Sequence, residues 1–223
     1  MREKLLFKAL IKYLIGLVSV ALLLFLSAGT LDYWNGWLFM GILFLPMLGL
    51  GAFLLAKDPE LLQKRLQMKE TEPEQKRVVL LSGIMFLVGF VLCGLNHRFS
   101  WVVMPRWMAV LSAVVFLAAY GLYAEVMREN AYLSRTVEVQ AGQKVVDTGL
   151  YGVVRHPMYL ATLLLFLSAP LVLGSPVSLL VFLAYPLILV KRIRNEEQVL
   201  EEQLDGYKDY ENKVRYRLFP LIW

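Results

Sequence analysis

The chain has one cysteine, Cys93, and that excludes several classes at once. No disulfide can form within it, and no zinc site of the multi-cysteine kind can be assembled, so no metal site is expected. Cys93 falls inside an apolar run and reads as an inert buried thiol. The sequence also has no glycine-rich nucleotide-binding loop of the soluble kind, no helix-turn-helix or RNP-like motif, and no internal repeat. Basic residues are scarce in three of its connections, where Arg98 and Arg106, both between the third and fourth apolar blocks, are the only ones. The basic N-terminus precedes a long apolar run without a small-residue cleavage pattern, which reads as a retained helix and not as a removed signal.

What the chain does have is apolar length. Hydrophobic residues make up 58% of its 223 positions, more than a soluble core of this size needs. They fall in blocks that suit a bilayer, which takes roughly 20 helical residues to cross. Leu10–Thr30 is broken only by Lys12, and Trp34–Ala56, Val78–Asn96 and Trp107–Ala124 carry no charge. A fifth stretch, Met158–Val190, is too long for one upright span and short for two. Pro170 and the Gly174-Ser175-Pro176 sequence inside it point to a tight helical hairpin turning at Gly174 and Pro176. The expected fold is an all-α polytopic transmembrane helical bundle ending in that hairpin and a charged surface helix. Residues 1–126 are expected to hold four spans with a cytoplasmic, solvated linker over 57–77. Residues 127–223 form the chemically distinctive part.

Charge sets the orientation. Lysine and arginine cluster at Arg2–Lys12, in 57–77, in 127–156 and from Lys191 onward. Alternating spans put all four clusters on one side, the cytoplasmic one by the positive-inside rule. Both termini and any active site in 127–223 are then cytoplasmic. Trp34, Trp37, Trp101 and Trp107 lie near span ends, as an interfacial aromatic belt does. The net charge of +5 is accounted for by topology and anionic headgroups, with no nucleic-acid partner.

Two constellations carry chemistry. In Gly149-Leu150-Tyr151-Gly152-Val153-Val154-Arg155-His156-Pro157-Met158-Tyr159, Pro157 suits a first helical turn. That sets Arg155 and His156 at a helix N-terminus, locally unfavourable for bases unless an anion joins them. The plainer alternative is an arginine that snorkels to headgroups and a histidine that caps. The second constellation, Lys191-Arg192-Ile193-Arg194-Asn195-Glu196-Glu197, ends the hairpin's returning leg. Arg192 and Glu196 share a helix face, which by itself is an ordinary surface ion pair. The hairpin brings the two constellations together, and converging ionisable groups at a membrane boundary suggest a functional site. Tyr151, Tyr159, Tyr207 and Tyr210 would complete the pocket.

Gly-x-Tyr-x-x-x-Arg-His-Pro-x-Tyr, an apolar hairpin, Arg-x-x-x-Glu-Glu and a Gly-Tyr-x-x-Tyr tail together resemble the isoprenylcysteine carboxyl methyltransferase family, related to phospholipid methyltransferases. The resemblance covers roughly residues 128–223. It implies S-adenosylmethionine as cofactor, with contacts from Gln140, the Gln143-Lys144-Val145-Val146 stretch, Tyr151 and the His156-Pro157-Met158-Tyr159 turn. It implies that Glu196 meets the cofactor's amino group, with Glu197 as competitor, and that Arg192 holds the methyl acceptor. The acceptor is expected to be a lipophilic small molecule, lipid or lipidated species entering from the bilayer, with a carboxylate as its reactive group. The compact set of spans suits a prokaryotic plasma-membrane member. Three other readings stay open: a phospholipid amine N-methyltransferase, a sterol-reductase-like oxidoreductase using a nicotinamide, and a non-enzymatic lipid-binding protein.

Overall fold

The computed structural model describes residues 2–66, 73–134 and 136–223; residues 67–72 of the expected linker lie outside it. Every regular element among the described residues is helical. In chain order these are α1 (Arg2–Ala28), α2 (Trp34–Lys57), α3 (Pro59–Arg65), α4 (Pro73–Phe99) and α5 (Arg106–Glu129). After a 3-10 turn at Gly149–Gly152 come α6 (Pro157–Val172), α7 (Pro176–Phe182), α8 (Tyr185–Gln203) and α9 (Tyr207–Lys213). The apolar blocks become α1, α2, α4 and α5, and the fifth stretch becomes the hairpin of α6 with α7–α8. Five segments, α7–α8 counted as one, are long and apolar enough to cross a membrane; α6 is the shorter sixth.

The interior of the bundle is aromatic and tightly set. Phe39, Phe90, Phe116 and Phe182 are buried together, and the Phe86 ring meets Phe166 edge-on with centroids 4.6 Å apart. Gly94 lets α4 press against α1, because a Cβ there would lie 1.9 Å from Ser27 Oγ and 2.6 Å from the Leu24 carbonyl. Small residues at such crossings let dispersion contacts form where lipid offers no hydrophobic gain. At the hairpin tip, the carbonyls that end α6 need partners. The Tyr33 hydroxyl donates to Leu173 O at 2.6 Å, Asn35 Nδ2 to Val172 O at 2.8 Å and Asn96 Nδ2 to Gly174 O at 3.2 Å.

The hairpin's returning leg is not one continuous helix as expected. It breaks at Leu183–Ala184, between α7 and α8. Pro186 sits in the first turn of α8, and without an N–H it cannot continue the helical ladder from α7. The start of the 57–77 linker is also more than a solvated connection. Asp58 caps α3 by accepting from Leu61 N at 3.0 Å, and Leu61 and Leu62 are buried. Lys64 Nζ donates to Ala131 O at 3.2 Å and Arg65 Nη1 to Ser134 O at 3.1 Å. These bonds hold α3 beneath the segment that follows α5.

The C-terminal helix also differs from expectation. Leu204, Tyr207, Tyr210 and Val214 are buried, and they pack on Val139, Val145 and Leu200. These four residues of the tail therefore pack on the loop that precedes the 3-10 turn, while Leu221 and Ile222 beyond them stay exposed.

Candidate functional site

The 3-10 turn before α6 is fixed from behind by α5. Leu150 N donates to Glu129 Oε2 at 2.9 Å, and Gly149 takes φ +55° with no room for a side chain. A Cβ at that position would lie 2.0 Å from Glu129 Oε1. Pro157 then opens α6 in its first turn, as its missing donor allows. The backbone N–H groups of Arg155 and His156 donate to the carbonyls of Tyr216 and Arg217, both at 2.9 Å. The end of the chain thus runs directly over the Arg-His-Pro turn. His156 is consequently only 6% exposed.

The anion that these bases require comes from the protein itself. One oxygen of Glu197 accepts from Arg155 Nε at 2.9 Å, lies 2.8 Å from Arg155 Nη2 and 3.2 Å from His156 Nε2. Its other oxygen accepts from Arg217 Nε at 2.6 Å. Glu211 adds a second carboxylate 3.4 Å from Arg155. Glu197 is 3% exposed, so its charge is stabilised by these partners and not by water.

Beside this cluster opens a cavity of about 870 Å³, its mouth included. That falls in the range of small-molecule sites. Of the residues implicated by sequence, Gln143, Lys144, Val145 and Val146 line it from the loop, and Tyr151, His156, Met158 and Tyr159 from the turn and α6. Glu196 lines it from α8. Gln140, Pro157, Glu197 and Arg192 are not on its wall. Gln140 shapes the loop instead, with Nε2 donating to Tyr132 O at 2.6 Å and its backbone N–H to Gln143 Oε1 at 2.9 Å. Arg192 stands one hydrogen bond behind the wall. Its Nε donates to the Tyr159 hydroxyl at 2.7 Å, and that hydroxyl donates in turn to Glu196.

The wall includes residues that sequence reasoning did not assign, among them Asn130, Glu138, Leu200 and Leu204. Asn130 Nδ2 donates to the Tyr151 hydroxyl at 3.0 Å and the Tyr210 hydroxyl to Tyr151 O at 2.8 Å, so the Tyr151 ring is held at both ends. The Tyr207 hydroxyl is buried with no hydrogen-bond partner among the described residues. Burial first, then the charges of Glu197 and Glu196, hold its proton on well above the usual tyrosine range. It is a donor at the cavity wall. Arg217, which completes the Glu197 cluster, carried no signal in the sequence beyond being one more basic residue in a basic tail.

Residues 108–202 match the model of the isoprenylcysteine carboxyl methyltransferase (ICMT) family, from the start of α5 to near the end of α8. Among curated proteins, the Delta(14)-sterol reductase TM7SF2 of Mus musculus is 31% identical over 91 residues. That alignment takes in 40% of this chain and 22% of the reductase, so the chain spans about a fifth of the length of that relative. The family match contains the Arg-His-Pro turn, the hairpin and the Glu-Glu element, while Leu204, Tyr207 and Tyr210 of the cavity wall and Glu211 and Arg217 of the ion cluster lie beyond it. The similarity to the isoprenylcysteine carboxyl methyltransferase family is thus confined to residues 108–202 of the chain.

Proposed function

We propose that the protein is an S-adenosylmethionine-dependent methyltransferase of the membrane, acting at the cytoplasmic face on a lipophilic carboxylate. The observation that carries this reading is the cavity. It joins an acidic group (Glu196), an unpartnered buried hydroxyl (Tyr207), aromatic rings and an apolar floor of Val145, Leu200 and Leu204. S-adenosylmethionine is a zwitterion with a sulfonium and a flat base, and these groups suit it. Glu196 would take the ammonium, Tyr207 or Lys144 the carboxylate, and the apolar floor the adenine. Tyr151 and Tyr159 offer ring faces to a cation.

When bound, the cofactor supplies an electrophilic methyl group on a positive sulfur. The chain's own part is to hold and to exclude. The 130–148 loop and the tail cover the site from water, which strengthens the attraction between a sulfonium and a carboxylate. A carboxylate acceptor is ionised at neutral pH and needs no base. An amine acceptor would have to lose a proton, and the imidazole at the wall has its Nε2 directed to Glu197. That favours the carboxylate. Arg192 acts as a positioning residue, fixing the Tyr159 hydroxyl at the membrane end of the cavity.

The test is labelled S-adenosylmethionine added to membranes containing the protein. Base-labile label in the lipid extract is expected, and base-stable label would replace the ester by an amine product. In calorimetry of the purified protein, Glu196→Gln should weaken cofactor binding by about 1.5–3 kcal/mol, the worth of a charged hydrogen bond. Unchanged affinity would remove Glu196 from the site. The similarity to a sterol reductase favours a second reading, a nicotinamide-dependent reductase, which predicts nicotinamide oxidation and no methyl transfer.

The cytoplasmic placement rests on the basic clusters at the ends of the spans. Reporter fusions after residue 223 and within the 100–105 connection should report opposite sides of the membrane. The same side for both would overturn the placement.

A further inference from the structure

Two glutamates line the cavity beside the ion cluster, Glu196 from α8 and Glu138 from the loop that covers it. Glu138 is exposed as well as on the wall, so it stands at the cavity's mouth. Ser134, Thr136 and Glu138 alternate along the loop, and all three line the cavity. Glu138 Oε1 accepts from Thr136 Oγ1 at 3.0 Å and from Ser134 Oγ at 3.2 Å, and the two hydroxyl oxygens lie 3.0 Å apart. Thr136 is 8% exposed, and its N–H donates to Ser134 Oγ at 3.3 Å. Ser134 is tied to the bundle in turn, its carbonyl accepting from Arg65 Nη1 of α3 at 3.1 Å. The carboxylate is thus oriented before any ligand arrives, which lowers the ordering cost of binding.

Both hydroxyls converge on Oε1, and Oε2 meets no donor among the described residues. An ionised carboxylate only accepts, so Oε2 keeps its lone pairs for donors that a ligand brings. S-adenosylmethionine brings three kinds: its ammonium, the amino group of its base, and two neighbouring ribose hydroxyls. Glu196 suits the ammonium, and the apolar floor of Val145, Leu200 and Leu204 suits the base. The sulfonium carries no donor hydrogen. A free carboxylate set against it would itself accept the methyl group, in competition with the substrate. The ribose is inert to that chemistry. Its diol also repeats what the chain presents to Oε1, two hydroxyls side by side on one carboxylate oxygen.

We propose that Glu138 is a cofactor-binding residue, accepting the paired ribose hydroxyls of S-adenosylmethionine through Oε2. The assignment rests on the methyltransferase reading above. A carboxylate in this place is also selective, because it repels a ribose that carries a phosphate. Glu138 then admits a nucleoside sulfonium and disfavours a nicotinamide dinucleotide phosphorylated on its ribose.

The test is titration calorimetry on the purified protein in detergent with S-adenosylhomocysteine and with its dideoxy analogue, which lacks both ribose hydroxyls. Wild type is expected to bind the analogue about ten-fold more weakly, a loss of ~1.4 kcal/mol. Glu138→Ala should bind S-adenosylhomocysteine about ten-fold more weakly and bind the analogue as wild type does, since the two changes remove one contact. The substitution leaves Ser134 and Thr136 bonded to each other at an exposed position, so the unfolding temperature should not move. Glu138→Gln keeps an acceptor for those hydroxyls and sets an amide N–H against the ribose; it should show the same pattern. Equal losses on both ligands, or unchanged affinity for both, would overturn the proposal. So would a loss seen with S-adenosylmethionine and not with S-adenosylhomocysteine, the mark of a sulfonium contact. Wild type that binds neither ligand defeats the cofactor reading itself, whereas wild type that binds S-adenosylhomocysteine beside an indifferent Glu138→Ala defeats only the ribose contact.

Discussion

Glu197→Gln should lower the unfolding temperature of the detergent-solubilised protein by on the order of 10 °C, whereas Glu196→Gln should shift it by only a few degrees. The two glutamates are neighbours in sequence and opposite in role. Glu197 is 3% exposed and pairs with Arg155, His156 and Arg217, so a neutral amide there leaves the buried Arg155 guanidinium short of its main counter-charge. Breaking a buried ion pair from one side costs roughly 3–5 kcal/mol where the remaining charge is left uncompensated. Arg155 retains Glu211 at 3.4 Å, which limits the loss without removing it. Glu196 faces the cavity, where its loss costs ligand affinity more than folding. Thermal scanning and calorimetry on the two variants give a crossed pattern if this is right. The reverse, a stable Glu197→Gln that fails to bind cofactor beside an unstable Glu196→Gln, would exchange the two roles.

Arg192→Lys should reduce turnover by ten-fold or more at saturating cofactor, about 1.4 kcal/mol of transition-state stabilisation. Cofactor affinity should stay within about two-fold, since Arg192 is not on the cavity wall. The guanidinium does two things for Tyr159: Nε donates to its hydroxyl at 2.7 Å, and the charge lies over its ring, 5.7 Å from the centroid. Lysine keeps the charge and loses the planar fork that fixes both contacts. The expected signature is a fall in kcat with little change in the KM for S-adenosylmethionine. Near-equal rates would leave the family assignment standing and remove Arg192 from acceptor positioning. A reductase would show no methyl transfer in either protein.

The crossings were legible because bilayer thickness imposes one length on them, and uninterrupted apolar runs of that length are rare for other reasons. The break before α8 was legible in principle, since Pro186 comes two residues after Ala184, but Pro170 and Pro176 drew the reading toward one turn. The docking of α3 was not, because Leu61 and Leu62 stand among charges that look like a solvated linker. Within the site, the choice between Glu196 and Glu197 was present as helical phase. Leu189, Ile193 and Glu197 recur every four residues, and all three are buried. Arg192 and Glu196 fall together on the neighbouring face, where Tyr159 joins them. The direction that Gln140 takes along the loop could not be read from the sequence, for a different reason. A loop residue has no period, so its direction depends on partners such as Tyr132 O.

The carbonyls of Tyr216 and Arg217 on the Arg-His-Pro turn have a consequence for biosynthesis. A ribosome delivers the chain from its N-terminus, so all the membrane crossings can be inserted while residues 214–217 are still inside the exit tunnel. During that interval Arg155 and His156 lack two of their backbone acceptors, and Glu197 lacks Arg217. The membrane-embedded part of the protein is thus completed before its polar site can exist. Stalling chains that carry a C-terminal linker of increasing length should show protection of the Arg155–His156 amides from exchange appearing only once residue 217 has cleared the tunnel, and not in step with insertion.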